Sequence, residues 1–580
     1  MPIFSPSQAV RESVVAPNRW DFIVLSAGVA VLFMMAWGSR QMFAPYDLGQ
    51  PLPISLDPSN LPGYALRTTL RMIAAMLLSL LFTFTYATLA AKNRRAETVL
   101  IPLLDILQSV PILGFLSLSV MGFITLFPGS MMGPEMAAIF AIFTSQAWNM
   151  AFSFYHSLRM VPQDLHDAAA VFQLSAWQKF WKLEVPFAMP NLIWNCMMSV
   201  SGGWFFVVAA EAISVAGNHI MLPGIGSYIA LAIQQQNLAA IGYAILTMFL
   251  VILLYGQLVF RPLVAWSDKF KFEMTGSQEV PSAWMLTLLQ RTRLAPKLFA
   301  LPALLWELLR KLFRRTSARR SALLKPAITP RAEHLLDRTW MLFAITAAIV
   351  AALLLARLIL SEVSSQEIVR VFGLGLITVA RVMVLIALAT LVWVPIGVWI
   401  GTRPAWSQRA QPVVLFLSAF PANLLFPLVV LFIARYHLNA EIWLSPLMIL
   451  GTQWYILFNV IAGAAAMPND LREVSSNLGL TKVQAWRRLI LPTIFPSYVT
   501  GGLTASGGAW NASVVSEVVS WGSTTLTATG IGAYIAQQTV NGDHARIALG
   551  IAVMSLYVIL LNRLLWNRLY RFARERLSFD

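Results

Sequence analysis

The chain has 580 residues, of which 58% are hydrophobic and only 12% are charged, and its formal net charge is +16. A soluble globular chain is usually about 45–50% apolar and about 25% charged, so too little charge remains here to cover a soluble surface. The apolar runs are long and continuous, as in membrane helices, and do not alternate as barrel strands do. The composition therefore excludes a soluble protein and predicts an all-α integral membrane protein.

Twelve segments are apolar enough to cross a bilayer, which takes roughly 20 residues. The first set lies near residues 20–38, 64–91, 98–126, 136–156, 190–213 and 239–262. The second set lies near residues 340–360, 372–402, 411–435, 442–464, 496–518 and 545–567. The first span follows a polar stretch without a convincing cleavage site, so we expect it to be an uncleaved anchor.

Positive charge is concentrated in alternate loops, and this pattern predicts the orientation. The loops that would face the cytoplasm contain Lys92, Arg94, Arg95, Arg159, Lys179, Lys182, Arg403, Arg409, Arg472, Lys482, Arg487 and Arg488. Residues 265–339 separate the two sets of spans and hold a basic cluster near 310–320, so we interpret them as a cytoplasmic linker next to anionic lipid, not as a nucleic-acid site. Both termini are expected in the cytoplasm.

The two sets of spans repeat each other. Thr68 and Arg71 recur 310 residues later as Thr378 and Arg381, and Pro111 recurs at the same shift as Pro421. Further along the shift is 306, and the matched pairs are Trp148 with Trp454, Pro162 with Pro468, Gly202 with Gly508, Trp204 with Trp510, Glu211 with Glu517, and Gly224-Ile225-Gly226 with Gly530-Ile531-Gly532. We therefore predict two parallel six-helix repeats, residues 1–264 and 340–580, with a solute path between them.

A segment between the fourth and fifth spans of each repeat has a shared pattern of an acid, small residues, a break and a closing proline. The first repeat has Asp167, Ala168, Ala169, Gln173 and Pro186 at these positions, and the second has Glu473, Val474, Ser475, Gly479 and Pro492. We expect the acid within the first turn or so of a short helix, where the helix dipole favours it, and a glycine at the break would permit a sharp backbone turn. The pattern is typical of a docking element.

This segment resembles the cytoplasmic signature of permeases of binding-protein-dependent ABC importers, which reads Glu-Ala-Ala, three residues, Gly, nine residues, then Ile-x-Leu-Pro. The resemblance implies a type I ABC importer permease in the bacterial inner membrane, whose short helices dock into two ATP-binding cassette subunits. It also implies an extracytoplasmic solute-binding protein. The chain has no Gly-x-x-x-x-Gly-Lys-Ser/Thr loop, so ATP and Mg²⁺ would be used by the partner subunits, and we expect this chain to be no enzyme and to bind no cofactor or metal.

The two segments depart from the family signature in different ways. Asp167 stands where the signature has Glu, and Gln173 stands where it has Gly. In the second repeat, Val474 and Ser475 replace the two alanines. Unequal docking of the two ATPase subunits is therefore a hypothesis that the sequence raises.

Within the family, the chain is most similar to the nitrate, sulfonate, taurine and bicarbonate branch. The basis is the Thr-x-x-Arg start of the second span and the Gly-x-Trp…Glu pattern of the fifth span in each repeat. The resemblance implies a small anionic solute, although no residue by itself selects an anion.

Several polar residues inside the spans are candidates for a pathway or gate, because intramembrane polar groups are costly. They are Trp204, Glu211, Trp510, Asn511, Ser513, Glu517, Arg71 and Arg381. Each also has a structural interpretation: the acids can bind nearby backbone, the tryptophans and small residues can pack against a neighbouring helix, and the arginines can satisfy helix ends.

Two other function classes remain to be weighed against an ATP-driven permease. A gradient-driven twelve-span transporter shares the topology and the parallel repeats, but it would need a proton- or sodium-linked acid at mid-membrane, and none is convincing in the sequence. A membrane enzyme would need a catalytic constellation, and the sequence has no such grouping at a plausible depth. Dependence of transport on ATP would separate the first two classes.

Overall fold

The structure, a computed structural model, describes residues 18–46, 54–215, 218–270, 284–292, 330–467 and 477–576. These residues are almost entirely helical, and the strands among them form two short antiparallel hairpins. The predicted all-α class is therefore confirmed.

The helices that precede the linker form in the order predicted for the first repeat. They are α1 (Arg19–Arg40), α2 (Leu61–Phe82), α3 (Thr88–Lys92), α4 (Arg94–Ser109), α5 (Ile112–Leu126), α6 (Met132–Arg159), α7 (Gln163–Val171), α8 (Ala176–Lys179), α9 (Val185–Glu211), α10 (Ile225–Gln234), α11 (Leu238–Tyr255) and α12 (Arg261–Ser267). In the linker, α13 (Trp284–Arg291) is described.

The helices of the second repeat follow a matching order. They are α14 (Pro330–Glu362), α15 (Ser365–Gly401), α16 (Pro404–Ala419), α17 (Phe426–Arg435), α18 (Ala440–Trp443), α19 (Leu447–Leu450), α20 (Gln453–Ala465), α21 (Lys482–Ala485), α22 (Leu491–Ser516), α23 (Ile531–Asn541), α24 (His544–Leu561) and α25 (Asn567–Arg576). Short π-helical turns extend or join several helices, at Thr83–Ala87, Phe180–Glu184, Gly256–Phe260, Trp486–Ile490 and Asn562–Trp566.

Within the described residues, 7 helices are long and apolar enough to cross a membrane, or up to 9 if two bent helix pairs are each one span. Three further predicted spans are also helical. The third is the broken pair α4 and α5, the fourth is α6, and the eleventh is α22, whose Gly, Ser, Thr and Asn residues reduce its hydropathy. Each predicted span thus coincides with a helix or with a broken helix.

Two of the helix breaks occupy matching positions in the repeats. Val110 and Pro111 are extended, with ψ of 128° and 119°, and they end α4 before α5 begins. Phe420 and Pro421 are extended in the same way, with ψ of 124° and 102°, between α16 and a 3₁₀ turn at Ala422–Leu425. Proline has no N–H and forces the preceding residue out of the helical region, so each proline dictates its break.

A β-hairpin follows the fifth-span helix of each repeat. Strand β1 (Ala212–Val215) pairs with β2 (Asn218–Met221), and strand β3 (Val518–Trp521) pairs with β4 (Thr524–Thr527). The second turn places Gly522 at φ +58°, a left-handed conformation that glycine adopts without steric cost. Each hairpin leads directly into a short helix, α10 or α23.

The chain divides into two compact units. One comprises residues 1–40, 160–193 and 254–349, and in it the Arg291 guanidinium lies 5.6 Å from the centre of the Trp20 ring. The predicted basic cluster near 310–320 lies outside the described residues. The other unit comprises residues 41–159, 194–253 and 350–580, and it holds helices of both repeats around one apolar core, with Val120, Val371, Ile456, Ala505 and Met554 among its buried members.

Candidate functional site: two buried ion clusters and two connecting segments

Three charged side chains of the first repeat meet where α2, α6 and α9 come together, and we call them the first ion cluster. Arg71 donates through Nε and Nη2 to the two carboxylate oxygens of Glu135, each at 2.6 Å. Its Nη1 donates to Glu211 Oε1 at 2.6 Å, and Nη2 also reaches the Pro223 carbonyl at 3.0 Å. The three charged residues are at most 2% exposed. Buried charges are tolerated only with such complete pairing.

Glu211 also holds the start of helix α10. Its Oε2 accepts the Gly226 N–H at 2.7 Å, and its Oε1 accepts the Thr68 hydroxyl at 2.7 Å. Thr68 Oγ1 in turn accepts the Ile225 N–H at 3.1 Å. A carboxylate at a helix N-terminus satisfies free N–H groups and is stabilised by the helix dipole. A Cβ on Gly224 would lie 2.3 Å from Glu211 Cδ, so a side chain at this position would displace the carboxylate.

The second repeat builds the same arrangement around Glu517. The Thr378 hydroxyl donates to Glu517 Oε1 at 2.9 Å, and the Ala533 N–H donates to Oε2 at 2.9 Å. Thr378 Oγ1 accepts the Ile531 N–H at 3.1 Å. A Cβ on Gly530 would lie 2.2 Å from Glu517 Oε1. The Thr-x-x-Arg start and the glycine of the Gly-Ile-Gly segment therefore serve one local design in both repeats.

The second ion cluster, formed by Arg381, Glu441 and Glu517, is more exposed to solvent than the first and has a longer contact between its arginine and the fifth-span glutamate. Arg381 donates to Glu441 through Nη2, and its Nη1 reaches the Thr529 carbonyl at 2.7 Å and Glu517 Oε1 at 3.5 Å. The Arg381 side chain is 13% exposed and that of Glu441 is 43% exposed. Glu441 lies in the four-residue helix α18, whereas Glu135 lies in the first turn of the 28-residue α6. The repeats therefore differ in how firmly their clusters are enclosed.

Sequence reasoning did not single out Glu135 or Glu441. They are 306 residues apart, the shift that relates Glu211 to Glu517, so the repeat alignment contained the signal. Their role was hidden because each pairs with an arginine that is 64 or 60 residues away along the chain.

The arginines and acids among the pathway candidates are thus bound to one another. Arg71 has its donors directed at carboxylates and a backbone carbonyl, which supports the structural interpretation of this residue. Arg381, Glu211 and Glu517 occupy the corresponding networks. A role for these four residues in a gate stays a prediction.

The other pathway candidates lie on the fifth-span helices. Trp204 and Trp510 are 1% and 2% exposed, and the Ser513 hydroxyl donates to the Trp510 carbonyl at 2.8 Å. Asn511 Oδ1 accepts the backbone N–H of Ile112, at the helix break of the other repeat, at 2.7 Å. The Asn511 side chain therefore links the two repeats.

We call the stretch that joins the fourth-span helix to the fifth-span helix of each repeat its connecting segment. In the first repeat this segment joins α6 to α9 and begins with helix α7, whose N-cap is Pro162. Asp164 occupies the first turn and Asp167 begins the second, where its Oδ1 accepts a hydrogen bond from Gln163 Nε2 at 3.0 Å. Asp167 and Ala168 are exposed, and Ala169 is buried. The helix ends at Val171, which is 79% exposed, and Phe172 after it is 76% exposed.

Gln173 follows this helix and has φ +52°, a left-handed conformation that is unfavourable for a residue with a side chain. In the second repeat, Gly479 occupies the matching position with φ +59°. Glu473, Val474 and Ser475 lie outside the described residues. The backbone thus makes the same turn in both repeats, although only one of them has the glycine that the turn favours.

Both connecting segments then continue in the same way. Ser175 and Thr481 each form a capping box with a glutamine three residues later. Each box starts a short helix that passes through a π turn into the long fifth-span helix beginning at Val185 or Leu491. The matching prolines, Pro186 and Pro492, are the second residues of those helices, which directly follow the π turns.

Comparison with known proteins places the repeats in one family. The family described as "Binding-protein-dependent transport system inner membrane component" matches residues 83–269 and again residues 393–577, which together are more than half of the chain. The double match confirms the internal repeat and the predicted resemblance to duplicated ABC permeases.

Individual relatives are distant. The bicarbonate transport system permease protein of Synechococcus elongatus is 26% identical over 171 residues, which are 30% of this chain and 57% of the relative. The nitrate import permease protein of Leptolyngbya laminosa is 26% identical over 184 residues, or 32% and 62%. The glycine betaine/proline betaine transport system permease protein of Escherichia coli is 27% identical over 187 residues, or 32% and 50%. The matches thus span less than two thirds of these relatives.

Proposed function

Because the chain belongs to the family of binding-protein-dependent transport system inner membrane components, we propose that it is the fused permease of an ATP-driven importer of a small anion. The two repeats would replace two separate permease subunits and form the solute path between them. Two ATP-binding cassette subunits would dock on the connecting segments, and a solute-binding protein would deliver the solute from the opposite side. Both termini would lie in the cytoplasm.

The observation that carries the docking proposal is the repeated, exposed turn of the connecting segments. Phe172 and Leu478 occupy matching positions, each directly before the left-handed residue, and they are 76% and 69% exposed. Large apolar side chains that are exposed on an ordered turn are typical of protein interaction sites. Their repetition, once in each half, fits two copies of one kind of partner.

The anion proposal has a different basis. Relatives named as bicarbonate and nitrate permeases match the chain, and so does one named for glycine betaine, which is zwitterionic. We favour a compact oxygen-bearing anion, since the alignments to the two named bicarbonate and nitrate permeases cover 57% and 62% of those relatives, against 50% of the betaine permease.

A gradient-driven carrier is less well supported. Its coupling acid would have to change protonation during transport, but Glu211 is held by a guanidinium, a hydroxyl and a backbone N–H at 2.6–2.7 Å. Glu517 is held by the Thr378 hydroxyl and a backbone N–H, each at 2.9 Å, with the Arg381 guanidinium at 3.5 Å. Acids bound in this way are suited to holding helices together, not to cycling protons.

The first test is a pull-down from native membranes with the full chain as bait, repeated with Asp167→Lys and Glu473→Lys. We expect a P-loop ATPase at two copies per chain by native mass spectrometry, and weaker recovery with each variant. Glu362→Lys makes the same charge change at an exposed helix end and should leave recovery unchanged. Absence of an ATPase with the unmodified chain, under conditions that keep known complexes intact, would overturn the proposal.

The second test separates the solute from the energy source. Vesicles containing the chain and its recovered partners should take up labelled nitrate or bicarbonate only when ATP is present on the side of the membrane where the ATPase subunits lie. Uptake driven by a proton or sodium gradient without ATP would assign the chain to the alternative class.

A further inference from the structure

The connecting segment and the end of the sixth-span helix carry very different charge in the two repeats. In the first repeat, residues 160–186 and 256–270 contain four basic and four acidic residues, so their net formal charge is 0. The matching residues of the second repeat, 466–492 and 562–576, contain nine basic and three acidic residues, so their net formal charge is +6. The two predicted docking regions are therefore not equivalent electrostatically.

The excess positive charge is concentrated on α25, the helix that ends the second repeat, and on the π turn of the second connecting segment. Its arginines replace uncharged residues of the first repeat, and the matched pairs are Trp181 with Arg487, Pro262 with Arg568, Ala265 with Arg571 and Phe270 with Arg576. Aromatic positions are kept between the same stretches, and these pairs are Phe260 with Trp566 and Trp266 with Phe572. The two helix ends thus share aromatic positions but differ in charge.

Helix α25 is fixed against the cytoplasmic half of α22. The Phe572 and Phe495 rings lie 5.9 Å apart in an edge-to-face contact. Trp566 lies so close to Gly502 that a Cβ there would be 2.6 Å from its ring, and Trp566 and Ala573 are 2% and 1% exposed. Since later residues of α25 contact earlier residues of α22, the two helices run antiparallel.

This packing brings arginines of two elements to one place. Continued for one more turn, the antiparallel pairing puts Arg576 level with Leu491, the first residue of α22. The π turn directly before Leu491 contains two exposed arginines, and two more arginines are exposed on one face of α25, three residues apart. We call Arg487, Arg488, Arg568, Arg571 and Arg576 the basic face.

The basic face has positive charge to offer to a partner. Among the described residues, none of its five arginines forms an ion pair. Residues 547–562, the apolar run of α24, contain no Lys, Arg, Asp or Glu, and α25 begins only after this run. In the predicted orientation, α25 therefore lies at or beyond the cytoplasmic headgroups.

A protein partner fits the basic face better than anionic lipid does. A lipid-binding amphipathic helix lays its apolar side into the membrane, whereas the apolar side of α25 is buried against α22. Anionic lipid also surrounds both repeats, and the preference for positive cytoplasmic loops applies to both, yet the excess charge is in one repeat. The basic face adjoins the connecting segment, which is where a docked subunit would lie.

We propose that the basic face is an additional docking contact, present only in the second repeat, for an acidic surface of the ATPase subunit at that connecting segment. This inference rests on the proposed function. Complementary charge at the rim of an interface speeds association and makes binding sensitive to salt. Because the first repeat has no net charge in the matching region, the two docking steps differ, and the step at the second repeat is the salt-sensitive one.

The test is a titration of the recovered ATPase against the full chain in phosphatidylcholine nanodiscs, in which native mass spectrometry separates chains with one and two bound subunits. Salt is raised from about 0.05 M to about 0.5 M, which shortens the screening length from about 14 Å to about 4 Å. We expect one of two binding steps to weaken at least tenfold. Arg568→Glu combined with Arg571→Glu should weaken this step at least tenfold at low salt and remove most of its salt dependence.

Matched variants separate charge from folding. Arg94→Glu combined with Arg409→Glu makes the same charge change at exposed residues near the starts of α4 and α16, and should leave both steps unchanged. Arg568→Lys combined with Arg571→Lys keeps the charge and should keep the affinity. If the glutamate pair is not inserted at normal abundance, Arg568→Gln combined with Arg571→Gln should give a smaller loss in the same direction.

The remaining outcomes overturn the inference in distinguishable ways. Equal losses in the α25 pair and the control pair would indicate the overall surface potential and not a contact. An effect of the α25 pair only in nanodiscs that contain phosphatidylglycerol would assign the basic face to anionic lipid. If the unmodified chain binds no ATPase, the proposed function fails and this inference fails with it. If the chain binds ATPase and the α25 pair matches the control, only this inference fails.

Discussion

Arg71 donates to Glu211 at 2.6 Å, and neither side chain is exposed to solvent. Through this contact the second-span helix is tied to the end of the fifth-span helix, and Glu211 in turn holds the start of α10 through the Gly226 N–H. Glu135 closes the cluster from the fourth span. A single buried guanidinium therefore organises four helices at one end of the first repeat.

Replacing this guanidinium should be far more costly in the first repeat than in the second. Arg71→Leu would leave two buried carboxylates without a counter-charge, and the loss of one partner of a buried pair costs about 3–5 kcal/mol. Arg381→Leu should cost less, because Glu441 is 43% exposed and water can solvate it. The measurement is the apparent melting temperature of the purified full chain in detergent. Exposed Arg435→Leu is the control, and equal shifts for Arg71→Leu and Arg381→Leu would contradict the expected asymmetry.

The glycine that precedes α10 should tolerate no side chain. Gly224→Ala would put a Cβ 2.3 Å from the Glu211 carboxyl carbon, so the carboxylate has to move away from Arg71 and the helix start. Overpacking of a buried site typically costs about 1–3 kcal/mol. Gly242→Ala is a matched control within α11, since a Cβ there meets nothing within 4 Å, and it should be neutral or stabilising. Thermal unfolding of the two purified variants compares them directly.

The sequence was sufficient for the helices and the repeat because both leave local or periodic signals. Apolar runs located the spans, and Pro111 and Pro421 located the matching helix breaks. It was not sufficient for the ion clusters, since the pairing of Arg71 with Glu135 depends on how distant helices pack. It also did not predict that Gln173 would adopt the left-handed turn that a glycine favours. The family signature had a glycine there, but only the backbone shows that the turn persists without it.

The left-handed turn gives a prediction in each direction. Gln173→Gly should stabilise the first connecting segment by about 1 kcal/mol. A side chain in the left-handed region costs roughly 1–2 kcal/mol, and the greater conformational entropy of glycine in the unfolded chain offsets part of the gain from removing it. Gly479→Gln should destabilise the second segment by a similar amount; a Cβ there meets nothing within 4 Å, so the effect is conformational and not steric. Hydrogen exchange of the two segments in the full chain measures each change locally. Opposite signs are expected, and the same sign for both would contradict the interpretation.

The exposed apolar residues of the connecting segments allow the proposed docking to be tested without altering charge. Phe172→Ser removes an aromatic side chain that is 76% exposed, and Leu478→Ser removes its smaller counterpart at 69% exposure. If both insert into a partner groove, the aromatic side chain should contribute more, since buried aromatic anchors dominate interface energies. We expect ATPase affinity at the first segment to fall at least tenfold, about 1.4 kcal/mol, and at the second by a smaller factor.

Ile442→Ser, at 65% exposure on α18, is the control. Titration of the recovered ATPase against each variant in nanodiscs gives the affinities. Equal affinities for all three variants would mean that these residues face lipid or water in the complex, and that any docking relies on the polar residues around Asp167 and Gln173.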